Sequence, residues 1–308
     1  MKILVLGAGA TGGYFGGRLA VSGADVRFLV RPKRAAQLAA RGIVIESSFG
    51  NAATPVNTVT QEPLGGAFDL IILSCKSYDL ASSIAAIAPA VGSRTQILPL
   101  LNGLRHLDDL DAAFSPSRVL GGMCHLSVDL GDDGTIRHLN TLHLLTYGPR
   151  TPSQEAFCNA LLPLLQKANF DSKLAGDVIR DMWGKWVLLA ALAGLTCLMR
   201  ASVGEIATTR DGVSFMLALI DECAAVAEAN GKAPKSEALA TIKTLLTDAK
   251  SQVVASMLRD MQRGRPIEGD HIIGDMLARA GAAGVATPLL KLAYANVEAY
   301  QNRLPASQ

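Results

Sequence analysis

A short aliphatic run, KILVL, passes directly into Gly7-Ala8-Gly9-Ala10-Thr11-Gly12 and then into the helix-like segment GGYFGGRLAVSG. This order of strand, G-x-G-x-x-G and helix predicts the first turn of a βαβ unit. Gly7 would make the tight turn, Gly9 would let a pyrophosphate approach the backbone, and Gly12 would let the helix pack close to the strand. The free N–H groups at the helix start would then carry the anion. Many ordinary tight turns also match a bare G-x-G-x-x-G. Its place at residue 7, straight after a strand, favours a dinucleotide site with Gly7, Ala8, Gly9, Ala10, Thr11 and Gly12 as cofactor contacts.

The following segments keep the same rhythm. DVRFLVR, DLIILSCK and TQILPLLN are apolar, strand-length runs separated by helix-length amphipathic stretches. Near-continuous apolar strands of this kind belong to a parallel sheet covered on both faces. Two further strands, RVLGGMCHLSVDL and TIRHLNTLHLLTYG, flank the turn-like GDDG and are expected to extend that sheet. Past a helix near 152–168 the pattern is helical throughout, with segments near 176–200, 203–208, 211–231, 235–263, 266–281 and 287–303. Pro266 marks one helix start, Thr287-Pro288 another as N-cap and first-turn proline, and the last few residues should fray. The fold class is therefore α/β: a Rossmann-type, doubly wound N-terminal domain over residues 1–172, followed by an all-α C-terminal domain over 173–308.

The end of the second predicted strand, FLVRPKR, bears on which dinucleotide is bound. NAD sites usually place Asp or Glu here for the ribose 2′-hydroxyl, whereas a 2′-phosphate calls for positive charge. Arg31 holds that place, and its planar guanidinium can grip a phosphate bidentately, with Lys33 or Arg34 adding charge. The expected cofactor is NADP. A solvated basic turn would look the same.

Open α/β sheets bind ligands beyond the carboxyl ends of their strands, which singles out Lys76 after LIILSC and Asn102 in LPLLNG. Each could touch the nicotinamide ribose or the substrate, and each is equally explained as a helix-opening lysine or a loop asparagine before glycine. In DVIRDMWGKWVLLAALAGLTCLMRAS, Lys185 opens a long uncharged run. Partial burial there would favour proton release, as ketone reduction requires when hydride leaves negative charge on oxygen. A lysine snorkelling from a helix end satisfies the same pattern. Farther on, Ser256 and Glu268 flank a Gly-Arg-Pro turn. Glu268, placed early in a helix where the dipole favours a carboxylate, could orient Lys185 or bind a substrate hydroxyl, and Ser256 could bind a carboxylate.

Taken together, the N-terminal glycines, Arg31, the CKSYD segment with Lys76, Asn102-Gly103, Lys185 in W-x-K, Gly204-Glu205, and Ser256-Met257 ahead of Glu268 resemble the ketopantoate reductase (2-dehydropantoate 2-reductase) family. The resemblance spans essentially the whole chain. It implies NADPH-dependent reduction of a 2-keto acid to a 2-hydroxy acid, 2-dehydropantoate to pantoate in pantothenate biosynthesis, with Lys185 as the matching general acid and Glu268 as its partner. Three asparagines of the family pattern are replaced by Leu189, Ala193 and Val203. Leu101 stands for the usual Gln before Asn-Gly, and Arg105-His106 follows in place of small residues. A site that loses hydrogen-bonding partners loses discrimination for polar substrates. A reductase for a less polar keto acid therefore stands as the alternative, as does a non-catalytic NADP-binding regulator. Arg105, His106 and Arg200 are candidates for the missing anion contact.

Other chemistries find little support. Lys plus Arg number 29 against 27 Asp plus Glu, a balance that gives no reason to expect a nucleic-acid partner. The five cysteines show neither disulfide-framework nor zinc spacing, and with no export-signal pattern a cytoplasmic setting is expected. The uncharged run Trp186–Met199, about 14 residues, is shorter than the roughly 20 a membrane span needs, so no membrane is expected. His138 and His143, an odd number of strand positions apart, should lie on opposite faces and share no metal. There is no G-x-S-x-G elbow. The apolar faces of the long helices suit a homodimer contact as well as a core.

Overall fold

A computed structural model of the protein describes residues 1–60, 64 and 66–304. They form two compact units, one of Met1–Leu101 and His106–Val178, the other of Asn102–Arg105 and the chain from Ile179 onward. The frayed end expected after residue 304 lies outside the described residues.

The first unit begins with β1 (Lys2–Leu6), α1 (Ala10–Val21), β2 (Asp25–Leu29), α2 (Pro32–Arg41), β3 (Ile43–Glu46), β4 (Ala52–Thr54) and β5 (Asn57–Val59). It continues with β6 (Leu70–Leu73), α3 (Leu80–Ile87), β7 (Gln96–Pro99), α4 (Arg105–Phe114), β8 (Gly121–Leu130), β9 (Ile136–Gly148), α5 (Glu155–Lys167) and β10 (Asp171–Leu174). One sheet has the order β5-β2-β1-β6-β7, and all its pairings are parallel. The central strands are buried on both faces, with Ile3, Leu4, Val5, Leu70, Ile71 and Ile72 inaccessible, which is why their sequences are continuous apolar runs. Chain order reverses at β1, so the ends of β1, β2 and β6 open a crevice where a ligand of such a sheet belongs.

The long hairpin departs from expectation. β8 and β9 do not extend the parallel sheet; they belong to a second one, ordered β10-β9-β3-β4, with β8 paired to β9. Ile97 and Val119 make a lone parallel bridge. Beyond it the chain pairs instead with β3, whose Ile43 and Ile45 are fully buried and supply the apolar partner.

The pairing also corrects the placement of the two histidines. Opposite β8, the register jumps between Leu126↔His143 and Val128↔His138, so residues 139–142 bulge out of the ladder. His138 and His143 therefore share a face and stack with centroids 6.0 Å apart. Tyr14 Oη is 2.9 Å from His143 Nδ1, and Ser47 Oγ is 2.9 Å from His138 Nδ1. Burial pushes the His143 imidazole below its ordinary value.

The second unit is helical: α6 (Val178–Met199), α7 (Val203–Ala207), α8 (Gly212–Ala229), α9 (Ser236–Leu246), α10 (Ser256–Gln262), a π-helical turn at Asp270–Gly274, α11 (Asp275–Ala282) and α12 (Pro288–Gln301). α6 is long and apolar enough to cross a membrane, but 67% of its apolar window is buried inside the protein. The single helix expected over 235–263 is two. The link between them is extended because Val203 N donates to Val253 O, Gly204 N to Ser251 O, and Ala255 N to Thr196 Oγ1, at 3.0, 2.8 and 3.2 Å. The helix expected from Pro266 starts later, which leaves Glu268 ahead of the π turn with its carbonyl accepting from Ile272 N. Thr287 is the N-cap residue of α12 and Pro288 opens its first turn, as expected, but the Thr287 side chain makes no capping bond. The Glu222 carboxylate supplies one, accepting from Leu289 N and Leu290 N at 3.0 and 2.9 Å.

Candidate active site

The glycine turn leaves β1 with Gly7 at φ +85°, a conformation that side chains disfavour, and Gly7 N donates to Leu29 O at 2.9 Å. Gly9 precedes α1, and a Cβ there would meet nothing within 4 Å, so the backbone is open to an incoming group. At Gly12 a Cβ would overlap Ser74 Oγ and the Gly7 carbonyl. The first turn of α1 carries no acidic residue, which leaves its N–H groups and dipole available to an anion.

Beside this turn lies a cavity of about 780 Å³ lined by Gly7, Ala8, Gly9, Arg31, Lys33 and Arg34, together with Cys75, Asp79, Asp132 and others. Ala10, Thr11 and Gly12 form the first turn of α1 and are not among the residues that line it. Arg31 immediately precedes α2; its side chain is 81% exposed and its Nη2 lies 3.2 Å from Asp79 Oδ1. Arg34, expected only to add charge, instead braces the turn. Its Nε donates to Ala8 O at 2.9 Å and its Nη1 to Gly134 O at 3.0 Å. Its Nη2 is buried without a partner. Lys76 is half-buried at the head of the 3₁₀ turn Ser77–Asp79 and does not line the cavity. A cavity of this size, an open glycine, exposed cations and an orphaned guanidinium nitrogen together fit a dinucleotide.

The second unit gathers another set. Lys185, near the start of α6, donates from Nζ to Asn102 Oδ1 at 2.9 Å. Asn102 is held in a turn whose next residue, Gly103, has φ +74°. A Cβ on Gly103 would sit 3.1 Å from both Cδ2 and the carbonyl oxygen of His271, so the turn lies flat on that imidazole. His271 is buried, which pushes it below its ordinary value, while Glu268, a hydrogen bond with the Asn102 backbone and Asp275 push it up and Arg105 down. One residue on, Ile272 O accepts from Trp186 Nε1 at 2.9 Å, tying α6 to the π turn.

Asn102, Ser256 and Glu268 line a small cavity of about 40 Å³ whose other walls are Leu189, Leu192, Ala193, Ala255, Met257 and Ile272. That is close to the ~30 Å³ share of one liquid water and can hold only one end of a substrate. Glu268 is buried, whereas Ser256 stands exposed at the start of α10. Val203 is fully buried and does not line the cavity. Arg200 ends α6, about 22 Å along the helix from Lys185, and donates to Met261 Sδ at 2.8 Å. His106 is inaccessible in α4, and Arg105 is exposed.

Sequence reading missed Asp79 as the partner of Arg31, although it sits in the quoted CKSYD segment. It also missed His271 beneath the Asn102 turn, for which no sequence signal exists without the fold.

A parallel sheet with a glycine turn and basic cavity, followed by a helical unit that aims a lysine at an asparagine, defines a nicotinamide-dependent oxidoreductase acting on CH–OH groups. The family description "Ketopantoate reductase PanE/ApbA" matches residues 3–151, and its C-terminal counterpart matches 177–301. The chain belongs to the ketopantoate reductase family. An uncharacterized oxidoreductase, YkpB of Bacillus subtilis (strain 168), is 36% identical over 98% of this chain and 99% of its own. The 2-dehydropantoate 2-reductase of Mesorhizobium japonicum is 26% identical over 89% of each chain. The crystal structure of 2-dehydropantoate 2-reductase from Geobacter metallireducens GS-15 superposes with a TM-score of 0.89 at 27% identity, covering 97% of this chain and 99% of that one. The chemistry shared across the family is reduction of a keto acid with a nicotinamide cofactor.

Proposed function

We propose that the chain reduces a 2-keto acid to the 2-hydroxy acid with NADPH as cofactor and Lys185 as general acid. The observation that carries this reading is the 2.9 Å hydrogen bond from Lys185 Nζ to Asn102 Oδ1, beside a cavity shared by Asn102, Ser256 and Glu268. When bound, reduced nicotinamide supplies the hydride that the carbonyl carbon accepts. Lys185 Nζ gives up a proton to the carbonyl oxygen as negative charge develops there. Asn102 Oδ1 occupies one of the three N–H directions of that ammonium and so fixes where the other two point. Glu268, buried at the cavity wall, holds a substrate hydroxyl or steers the lysine, and Ser256 offers its hydroxyl to the substrate carboxylate. In the first unit, the turn from Gly7 to Gly12 receives the pyrophosphate, and Arg31 with Lys33 meets the 2′-phosphate. Lys76 and Asn102 are the candidates for the ribose end.

Within this reading 2-dehydropantoate, reduced to pantoate, is the first substrate to test. The walls favour a second reading, a keto acid with a less polar side chain. Leu189, Leu192 and Ala193 offer no partner to a substrate hydroxyl, and a polar group buried without one costs about 1–3 kcal/mol. None of the five cysteines forms a disulfide, which is compatible with a reducing, cytoplasmic setting. Purified protein given NADPH and a panel of 2-keto acids that includes ketopantoate is expected to oxidise the cofactor with at least one of them. Tight NADPH binding without turnover on any member would point instead to an NADP-binding regulator.

A further inference from the structure

In the cofactor cavity, acid and base face each other where a phosphate-selective site would carry base alone. Arg31, Lys33 and Arg34 line it, and so do Asp79 and Asp132. The three cations are not equivalent. Arg34 uses Nε and Nη1 on the carbonyls of Ala8 and Gly134, so it serves the turn. Arg31 is the exposed one, at 81%, and its Nη2 reaches Asp79 Oδ1 at 3.2 Å across 48 residues of sequence.

Asp79 closes the 3₁₀ turn Ser77–Asp79, which runs directly into α3. Its carboxylate makes no bond to the start of that helix and faces Arg31 in the wall of the cavity. NADP sites present a cation to the 2′-phosphate and NAD sites a carboxylate to the 2′-hydroxyl; this chain presents both, 3.2 Å apart.

We infer that Asp79 is a specificity-determining residue that narrows the preference for NADPH over NADH, so that the site accepts either dinucleotide. The inference rests on the reading that Arg31 meets the 2′-phosphate. With NADPH, Arg31 divides its donors between Asp79 and the phosphate, and the carboxylate remains as a like charge beside the phosphate. With NADH no such division is required, and the carboxylate is available to a ribose hydroxyl. A unit negative charge several ångströms from a phosphate in a water-exposed setting is worth about three- to tenfold in affinity, reduced by salt.

The test is a fluorescence titration of the full chain with NADPH and with NADH, needing no substrate, on the parent, Asp79→Asn, Arg31→Ala and the double variant. Asp79→Asn should tighten NADPH about three- to tenfold, leave NADH unchanged or weaker, and lose most of its effect at high salt or in the Arg31→Ala background. Asp79→Ser, uncharged and smaller, repeats the measurement should the asparagine disturb the turn into α3. An unchanged NADPH-to-NADH ratio in Asp79→Asn and Asp79→Ser, with Arg31→Ala still weakening NADPH selectively, overturns the role of Asp79 alone. Equal loss of both dinucleotides in Arg31→Ala overturns the phosphate reading, and the inference with it.

Discussion

The two units build their ligand-facing surfaces from different materials. In the first, the surface at the end of β1 is mainly backbone: the turn through Gly7 and Gly9, the N–H groups opening α1, and the Ala8 carbonyl held by Arg34. In the second it is side chains drawn from distant segments, with Asn102 from a loop, Lys185 and Leu189 from α6, Ser256 from α10 and Glu268 from before the π turn. A backbone site tolerates change only where no side chain intrudes, so it keeps one ligand class. A side-chain site can change ligand by a few substitutions and keep its chemistry. The resemblance, which keeps Lys185 and Asn102 and sets Leu189 and Ala193 where the family pattern has asparagines, fits that difference.

The sharpest way to break the comparison is to remove the proposed proton donor. Lys185→Ala is expected to lower turnover by about 10²–10⁴-fold while the dissociation constant for NADPH stays put. Loss of NADPH affinity in step with turnover would mean that the sites are not separable. Next in size is an intrusion into the backbone site. Gly12→Val adds atoms where a Cβ already overlaps Ser74 Oγ and the Gly7 carbonyl, at a cost of about 1–3 kcal/mol in overpacking. It should abolish measurable NADPH binding and lower Tm, whereas the same titration on a conservative change at Ser256 should show neither effect.

A smaller effect sharpens the substrate side. Leu189→Asn combined with Ala193→Asn gives a hydroxylated keto acid partners on the cavity wall. We expect kcat/KM for ketopantoate relative to an unbranched apolar 2-keto acid to rise about tenfold or more. Stability should fall modestly, since the new amides are buried when no substrate is bound. An unchanged ratio would show that Leu189 and Ala193 do not face the substrate.

The same contrast governs how much could be read without coordinates. The cofactor turn is local: a strand, three glycines and a helix start lie within one short stretch, and their spacing carries the geometry. Arg31 is equally local, but its partner Asp79 comes from the end of another strand, and no spacing links the two. The substrate side is non-local throughout: residue chemistry offered Lys185, Ser256 and Glu268 as partners with alternatives left open, and the family resemblance gave Lys185 and Glu268 their roles. Where the fold was misread, a distant contact was the cause. β3 captures the β8–β9 hairpin, a four-residue bulge puts His138 and His143 on one face, and at the Thr287 N-cap of α12 the capping bonds come from the Glu222 carboxylate rather than the threonine hydroxyl. In each case a local rule gave way to a tertiary partner.

The smallest expected effect concerns the support of the side-chain site. His271 lies under the Asn102-Gly103 turn, and burial holds its imidazole below the ordinary value, so in the folded chain it stays neutral at a pH where the unfolded chain already protonates it. The unfolded state then binds more protons, and stability rises with pH through that window. The stability in question is complete above the unfolded value of about 6.5 and is lost as pH falls from there toward the lower folded value. His271→Gln keeps an amide for the Asn102 backbone and removes the titration. Its Tm should therefore fall less than that of the parent between about pH 7.5 and pH 5.5. His143, buried in the first unit, carries the same sign. Tm–pH profiles for His271→Gln, His143→Gln and the double variant separate the two contributions. If the pH slope is unchanged in His271→Gln and flattened in His143→Gln, the acid sensitivity belongs to the first unit, and the substrate-side turn is held without a titrating group.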